Sequence, residues 1–487
     1  MTMHNRLLLA IDRLSLCVFY PALALIFLRP SWLKFTTPFG HVSLTSAQSI
    51  VFLLGSLWLL AFLIHPRRYF TSGTIEYPLL LFLAANCASA LLSPFGTPAE
   101  RVDAILEIVL YATFFYASLY LLRTAVDSRR VILALFTVAV AVASVNIAYH
   151  YREGMWKMID RGYPFWDGKN ALGLFMVLTL SLSTALIARP ETGCGAGGHR
   201  YGWRTAAFAP GLFVIFLCAV YSYSRGAWIA MAGAALLFSL FRSWRLVALL
   251  VAAVLVVAFL PHRRALNRFL SIGQMRDRNV AMRLVVWKDA LRMIRARPLI
   301  GVGPGEFRTA CLRFEDTADT RNAARAPRER LIYRDHAHNL FLQVGAESGI
   351  AGLLALAWGV AAVCRAIYGL ARSESDPARY ATVQGLAGAL AAFLVFSLAD
   401  CSWTGRLSGG SFMHINLTVI LFLAMLYAMG VPHLKSQIPI PNPKSNDQIP
   451  NPPSTPMGSR DENPRGAWTR TPEGRGRGPR RGVSENP

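Results

Sequence analysis

Hydrophobic positions along this chain come in continuous blocks rather than in alternation, and the blocks recur near the ~20-residue length that a helix needs to span bilayer hydrocarbon. Apolar segments cover 15–29, 45–64, 76–92, 104–122, 131–150, 170–188, 206–223, 226–241, 246–261, 338–367, 380–399 and 411–430. Twelve spans follow. The first block is short and only Ser224 and Arg225 separate the seventh from the eighth, so the pattern accommodates eleven to thirteen. Inside hydrocarbon every backbone N–H and C=O must be satisfied within the segment, so runs of this kind have to be helices. The expected fold class is therefore an all-α polytopic membrane protein of about twelve transmembrane helices. One large loop near 262–337 interrupts the series.

Composition agrees. Of 487 residues, 54% are hydrophobic and 16% charged, against about a quarter charged in soluble domains. Lys and Arg concentrate beside alternate connections: Arg67 and Arg68, then Arg123, Arg129 and Arg130, then Arg189, Arg200 and Arg204, then Arg242 and Arg245, then Arg365, Arg372 and Arg379. By the positive-inside bias these face the cytoplasm, and the long loop faces outward. The first apolar run lacks a small-residue cleavage site and is read as an uncleaved helix. Seven cysteines are scattered without a C-x-x-C pair, which fits packing residues better than a zinc site or disulfide framework. The sequence thus divides into helices 1–9 over 1–261, an outer loop over 262–337, helices 10–12 over 338–434, and a basic tail over 435–487. That tail is rich in Pro, Gly, Ser and Arg, cannot bury a core and is expected to be disordered on the cytoplasmic side.

Charge singles out the loop. Between His262 and Ala337 stand seventeen Lys or Arg and eight Asp or Glu, a net charge near +9. Such a surface above a bilayer concentrates anionic ligands, here lipid phosphates, lipid diphosphates and acidic glycans, although general contact with anionic headgroups has the same signature. No nucleic-acid partner is expected. Within the loop, NVAMRLVVWKDALRMIRARP (279–298) has the spacing of an amphipathic helix, with Asn279 as N-cap and Pro298 as stop. Arg283, Trp287, Ala290 and Ile294 share one face, and Trp, Met and Leu suit a position at the membrane interface. The following GVGPGEF (301–307) is read first as a turn and second as an anion cradle, since it lacks the ending of a P-loop.

The sharpest pattern is HAHNLFLQVGAESGIAG (336–352), where the loop re-enters the membrane. At 100° per residue His338, Gly345, Gly349 and Gly352 fall on one face, so a glycine seam for close helix packing would run beneath His338 and hold it rigidly. His336 is expected to point elsewhere and Asp335 to be solvated. On residue chemistry alone, an interfacial or capping histidine and a catalytic one both fit. Acidic residues Glu100, Asp103, Asp160, Asp167 and Asp400 are dispersed among different connections, with no Asp-x-Asp pair to hold a divalent metal. Neither a metal nor another cofactor is expected.

SRG (224–226), RLVVWKDALRMIRARPLIGVGPGEF (283–307) and HAHNLFLQVGAESGIAG together resemble the motif set of the O-antigen ligase and polymerase superfamily. His338 followed at ten intervening residues by Gly349 matches its His-x10-Gly pattern. The resemblance implies that the loop is periplasmic and catalytic, that the protein sits in the inner membrane, and that His338 is the catalytic histidine. It implies substrate-binding roles for Arg225, Arg283, Asn170 and Lys169. Arg225 is followed by Ile229 where the arginine motif of the ligases has leucine. The implied reaction is an inverting, metal-independent transfer of glycan from undecaprenyl diphosphate to the lipid A-core, among membrane lipids. An O-antigen polymerase and a protein O-oligosaccharyltransferase are the alternatives within the superfamily. A lipid-linked glycan transporter is the alternative of another class, although the chain lacks the internal repeat common among transporters.

Overall fold

The computed structural model describes residues 3–28, 34–36, 43–66, 75–153, 166, 168–187, 203–241, 278–314, 335–400 and 411–430. In chain order these form α1 (Met3–Leu28), a hairpin of β1 (Lys34–Thr36) and β2 (Ser43–Thr45), α2 (Ser46–Ile64), α3 (Glu76–Leu92), α4 (Pro98–Thr124) and α5 (Ser128–Glu153). Then come α6 (Lys169–Ser183) with a 3₁₀ turn at Thr184–Leu186, α7 (Trp203–Tyr221), α8 (Arg225–Phe241), α9 (Arg278–Ala296), α10 (Phe307–Phe314), α11 (Leu340–Ser373), α12 (Pro377–Ser397) and α13 (Ser411–Gly430). The small antiparallel hairpin pairs Phe35 with Leu44.

Seven of these helices are long and apolar enough to cross a membrane, and four shorter ones are apolar. The expected spans fall on these helices, except the one at 246–261, which lies outside the described residues, as does the tail after 430. Large apolar side chains stay exposed on the helices, among them Leu63, Leu91, Leu236 and Leu354. In water such a surface would be unfavourable, whereas lipid is its natural solvent. Helix starts carry local signals: Thr97 and Glu100 form a capping box ahead of Pro98 in α4, and Asp376 caps α12 before Pro377.

α11 is two helices in series, joined at Gly349 with φ 67° and ψ −165°, a backbone region open essentially to glycine alone. The expected seam of glycines beneath His338 is corrected here. The helix begins only at Leu340, capped by Asn339, so His338 stands outside it. Gly345 packs on Ile294 of α9, and a Cβ on Gly349 would come within 2.4 Å of the Leu299 backbone. The GVGPGEF turn enters at that break: Val302 N–H donates to Ala346 O (2.9 Å), Gly303 N–H to Glu347 O (3.0 Å), and Ile350 N–H to Pro298 O (2.7 Å). It is a turn, as its glycines suggest, but one that straps the loop to α11. Ser89 and Ser93 of the α3 end fasten the same strap through Glu347 O and Val302 O.

The face of α9 assigned to the membrane interface is also revised. Val286, Ala290 and Met293 pack with Phe95, Val302 and Phe307 in a separate small core, while Leu284 and Leu291 remain exposed. α9 begins at Arg278, so Asn279 lies in its first turn rather than capping it, and the helix ends at Ala296 just before Pro298.

Candidate functional site

The starts of α6, α8 and α11 and the end of α12 meet at one end of the bundle. Close packing makes this possible: a Cβ on Gly173 of α6 would lie 2.6 Å from Ser222 Oγ and 2.8 Å from Ala227 Cβ, so only glycine lets α6 press against the turn preceding α8. Ser224 closes that turn, accepting from Ala227 N–H at 3.3 Å as an N-cap.

Five polar side chains from these elements form a chain of hydrogen bonds. Ser224 Oγ donates to Asn170 Oδ1 (2.9 Å), and Asn170 Nδ2 donates to Asp400 Oδ2 (2.7 Å). The other carboxylate oxygen, Asp400 Oδ1, meets His338 Nδ1 at 3.0 Å and His336 Nε2 at 3.2 Å. An ionised carboxylate only accepts, so both ring nitrogens facing it carry hydrogen. His338 is thereby fixed as the tautomer with its proton on Nδ1 and a lone pair on Nε2. Among the described residues no hydrogen-bond partner is seen for that Nε2, and the His338 side chain is 26% exposed against 3% for Asp400.

Backbone constraints hold the imidazoles there. His338 has φ +51°, a left-handed conformation that costs a non-glycine residue about 1–3 kcal/mol and persists only where the surroundings impose it. The surroundings do so on three sides. Trp287 of α9 donates its indole N–H to Ala337 O (2.9 Å), Ala337 N–H donates to Gln343 Oε1 (2.7 Å), and Asn339 Nδ2 donates to Leu398 O (3.0 Å). The turn also brings the rings of His336 and His338 to 4.1 Å between centroids. His336 therefore does not point away, as expected from its spacing, because the backbone at 338 is not extended. Asp335 is about half exposed, as expected, and pairs with Arg308 at 3.1 Å.

Electrostatics follow from this packing. Burial pushes the Asp400 acid up, but the hydrogen bonds from His336 and His338 outweigh it and hold the carboxyl well below the usual carboxylate range. For His338, burial pushes the imidazole down, the hydrogen bond and charge of Asp400 push it back up, and His336 and Arg283 push it down again, leaving it lowered. Arg283 on α9 is therefore near enough for its charge to act on His338. Arg225 occupies the first position of α8, beside Ser224, and is partly buried; Lys169 adjoins Asn170 at the first position of α6.

Sequence spacing missed the junction itself. Asp400 stands among acidic residues dispersed over separate connections, and it is 62 positions from His338. No Asp-x-Asp pair is needed for a ligand-like cluster: His336, His338 and Asp400 bring donor atoms within 4.8 Å of one another. The H-A-H spacing was the available signal, together with an acid at the end of an apolar helix.

Residues 210–357 match the family model described as O-Antigen ligase. The match runs from α7 through the SRG turn, the loop and the break in α11, and supports the family that the motifs resemble. Among curated proteins none matches.

Proposed function

We propose, from the O-antigen ligase domain that residues 210–357 carry, that this protein is an inverting membrane glycosyltransferase using a lipid-linked glycan as donor. The observation that carries this reading is the His338–Asp400 pair, which leaves Nε2 with its lone pair turned away from the carboxylate. A sugar hydroxyl is a poor nucleophile, and a positioned base of near-neutral pKa accelerates its attack by ~10²–10⁴-fold. In the proposed step His338 Nε2 takes the acceptor hydroxyl proton as that oxygen bonds to the anomeric carbon. The bond to the diphosphate breaks on the opposite face. Asp400 stabilises the resulting imidazolium and keeps its ring oriented, the general role of a carboxylate behind a catalytic histidine.

The diphosphate leaves with growing negative charge, which Arg283 and Arg225 neutralise by bidentate hydrogen bonds. Asn170 orients the carboxylate, and Lys169 beside it adds positive charge. With arginines in that role, the reaction needs no divalent metal, and we expect transfer to continue in EDTA. In this reading the donor is a glycan on undecaprenyl diphosphate, the acceptor is the lipid A-core, and the site opens to the periplasm from the inner membrane.

The test is reconstitution. Purified protein in lipid, given a lipid-diphosphate glycan and lipid A-core, is expected to join the two and release the lipid diphosphate, with His338→Ala lowering the rate by about 10²-fold or more. Transfer retained in that variant removes the base role. The same assay run with a second lipid-linked glycan or a protein as acceptor separates ligase from polymerase and oligosaccharyltransferase. Movement of donor across the bilayer without transfer would indicate a transporter.

A further inference from the structure

His336, His338 and Asp400 also form a cluster of ligand-type atoms. Two imidazoles and one carboxylate, each offering one donor atom, all within 4.8 Å, are the ligand set preferred by zinc, cobalt and related transition ions over magnesium or calcium. Bonds of about 2.0–2.2 Å from such an ion place neighbouring ligand atoms about 3 Å apart at right angles and about 3.4 Å apart at tetrahedral angles. Asp400 Oδ1 lies 3.0 Å from His338 Nδ1 and 3.2 Å from His336 Nε2, so both carboxylate–imidazole separations already fall in that range. Asn170 Nδ2 already holds the other carboxylate oxygen at 2.7 Å, the kind of outer hydrogen bond that orients a ligating carboxylate. The carboxylate is buried, while the His336 and His338 side chains are 14% and 26% exposed, which leaves an entry path and open coordination positions.

We infer that this triad is an inhibitory binding site for a zinc-class divalent ion, in which the metal takes the place of the two N–H hydrogens shared with Asp400. The physical reason for inhibition is the tautomer. A neutral imidazole has one proton. When Nδ1 of His338 donates to Asp400, the lone pair is on Nε2; when Nδ1 coordinates a cation, the proton moves to Nε2 and no lone pair faces the acceptor. His336 changes in the same way, with its proton moving to Nδ1, so binding needs no net loss of protons from the pair. The inhibitory consequence rests on the general-base reading above, whereas the binding itself does not.

The experiment uses the full chain in detergent after chelator treatment, with Co²⁺ as spectroscopic probe and Zn²⁺ as competitor. One Co²⁺ per chain with visible d–d bands, displaced by Zn²⁺, is expected. His336→Gln and, separately, Asp400→Asn are each expected to weaken binding by at least about tenfold, with the same size-exclusion profile as the parent. Absence of a stoichiometric site, or binding indifferent to both substitutions, overturns the proposal whatever the protein's activity proves to be. In the transfer assay Zn²⁺ is expected to inhibit and EDTA to restore the rate, and His336→Gln, measured against its own metal-free rate, is expected to need at least about tenfold more Zn²⁺. Stimulation by Zn²⁺ would overturn the inhibitory role even where binding is found.

Discussion

At the scale of single residues, His338 is defined by opposing influences of comparable kind. Burial, His336 and Arg283 favour its neutral form, and Asp400 favours the charged one, with the balance on the neutral side. The base is the neutral imidazole, so transfer should hold through neutral pH and fall as pH drops through the lowered pKa, on the acid side of the ordinary imidazole range. Asp400→Asn removes the two influences that raise His338, so the acid limb of the rate profile is expected to move to lower pH. The maximal rate should fall by up to ~10⁴-fold, as when a catalytic histidine loses its carboxylate. Arg283→Gln removes a lowering charge and should move the same limb to higher pH. A pH–rate profile of each variant checks the pair of signs; limbs that stay in place would separate these side chains from the titration of His338.

At the scale of elements, the break in α11 is what joins the loop to the bundle. Gly301 has φ +68° and Gly349 φ +67°; a Cβ on Gly301 would meet the Glu347 backbone, and one on Gly349 the Leu299 backbone, each at 2.4 Å. Gly349→Ala therefore meets both a backbone penalty of about 1–3 kcal/mol and a collision with main chain that cannot swing aside. A lower thermal midpoint in detergent is expected, together with reduced transfer, since α9 is tied to Ala337 through Trp287. Gly369→Ala, farther along α11, where an added Cβ meets no atom within 4 Å, serves as the milder comparison. Equal midpoints for the two would refute the account of the strap.

At the scale of the whole molecule, one end of the bundle collects the starts of α6, α8 and α11 and the end of α12, and the proposed reaction requires that end to face outward. Leu299, 71% exposed beside the strap, gives a handle on sidedness. Leu299→Cys in a cysteine-free background is expected to react with a membrane-impermeant maleimide on spheroplasts before any permeabilisation. Labelling that appears only after permeabilisation would place the site on the cytoplasmic side and end the periplasmic reading. The native Cys17 and Cys364 are themselves exposed, so they must be removed first.

Spans were legible in sequence because membrane burial demands unbroken apolar runs, and that demand is met residue by residue without reference to the rest of the chain. His338 and Arg283 stand out in sequence because they lie inside compact motifs. The use of Gly349 was not, since a glycine at helical spacing looks the same whether it admits a neighbouring helix or breaks its own. Asp400 was not legible either: its partners come from the start of α6 and from the turn ahead of α11, and only the packing of those elements decides which dispersed acid is buried against two imidazoles. The sequence alone therefore determined where helices form and which residue types reach the bundle's end. Tertiary structure decided which of them touch, because hydrogen bonds and charge effects depend on distances of a few ångströms that chain separation does not encode.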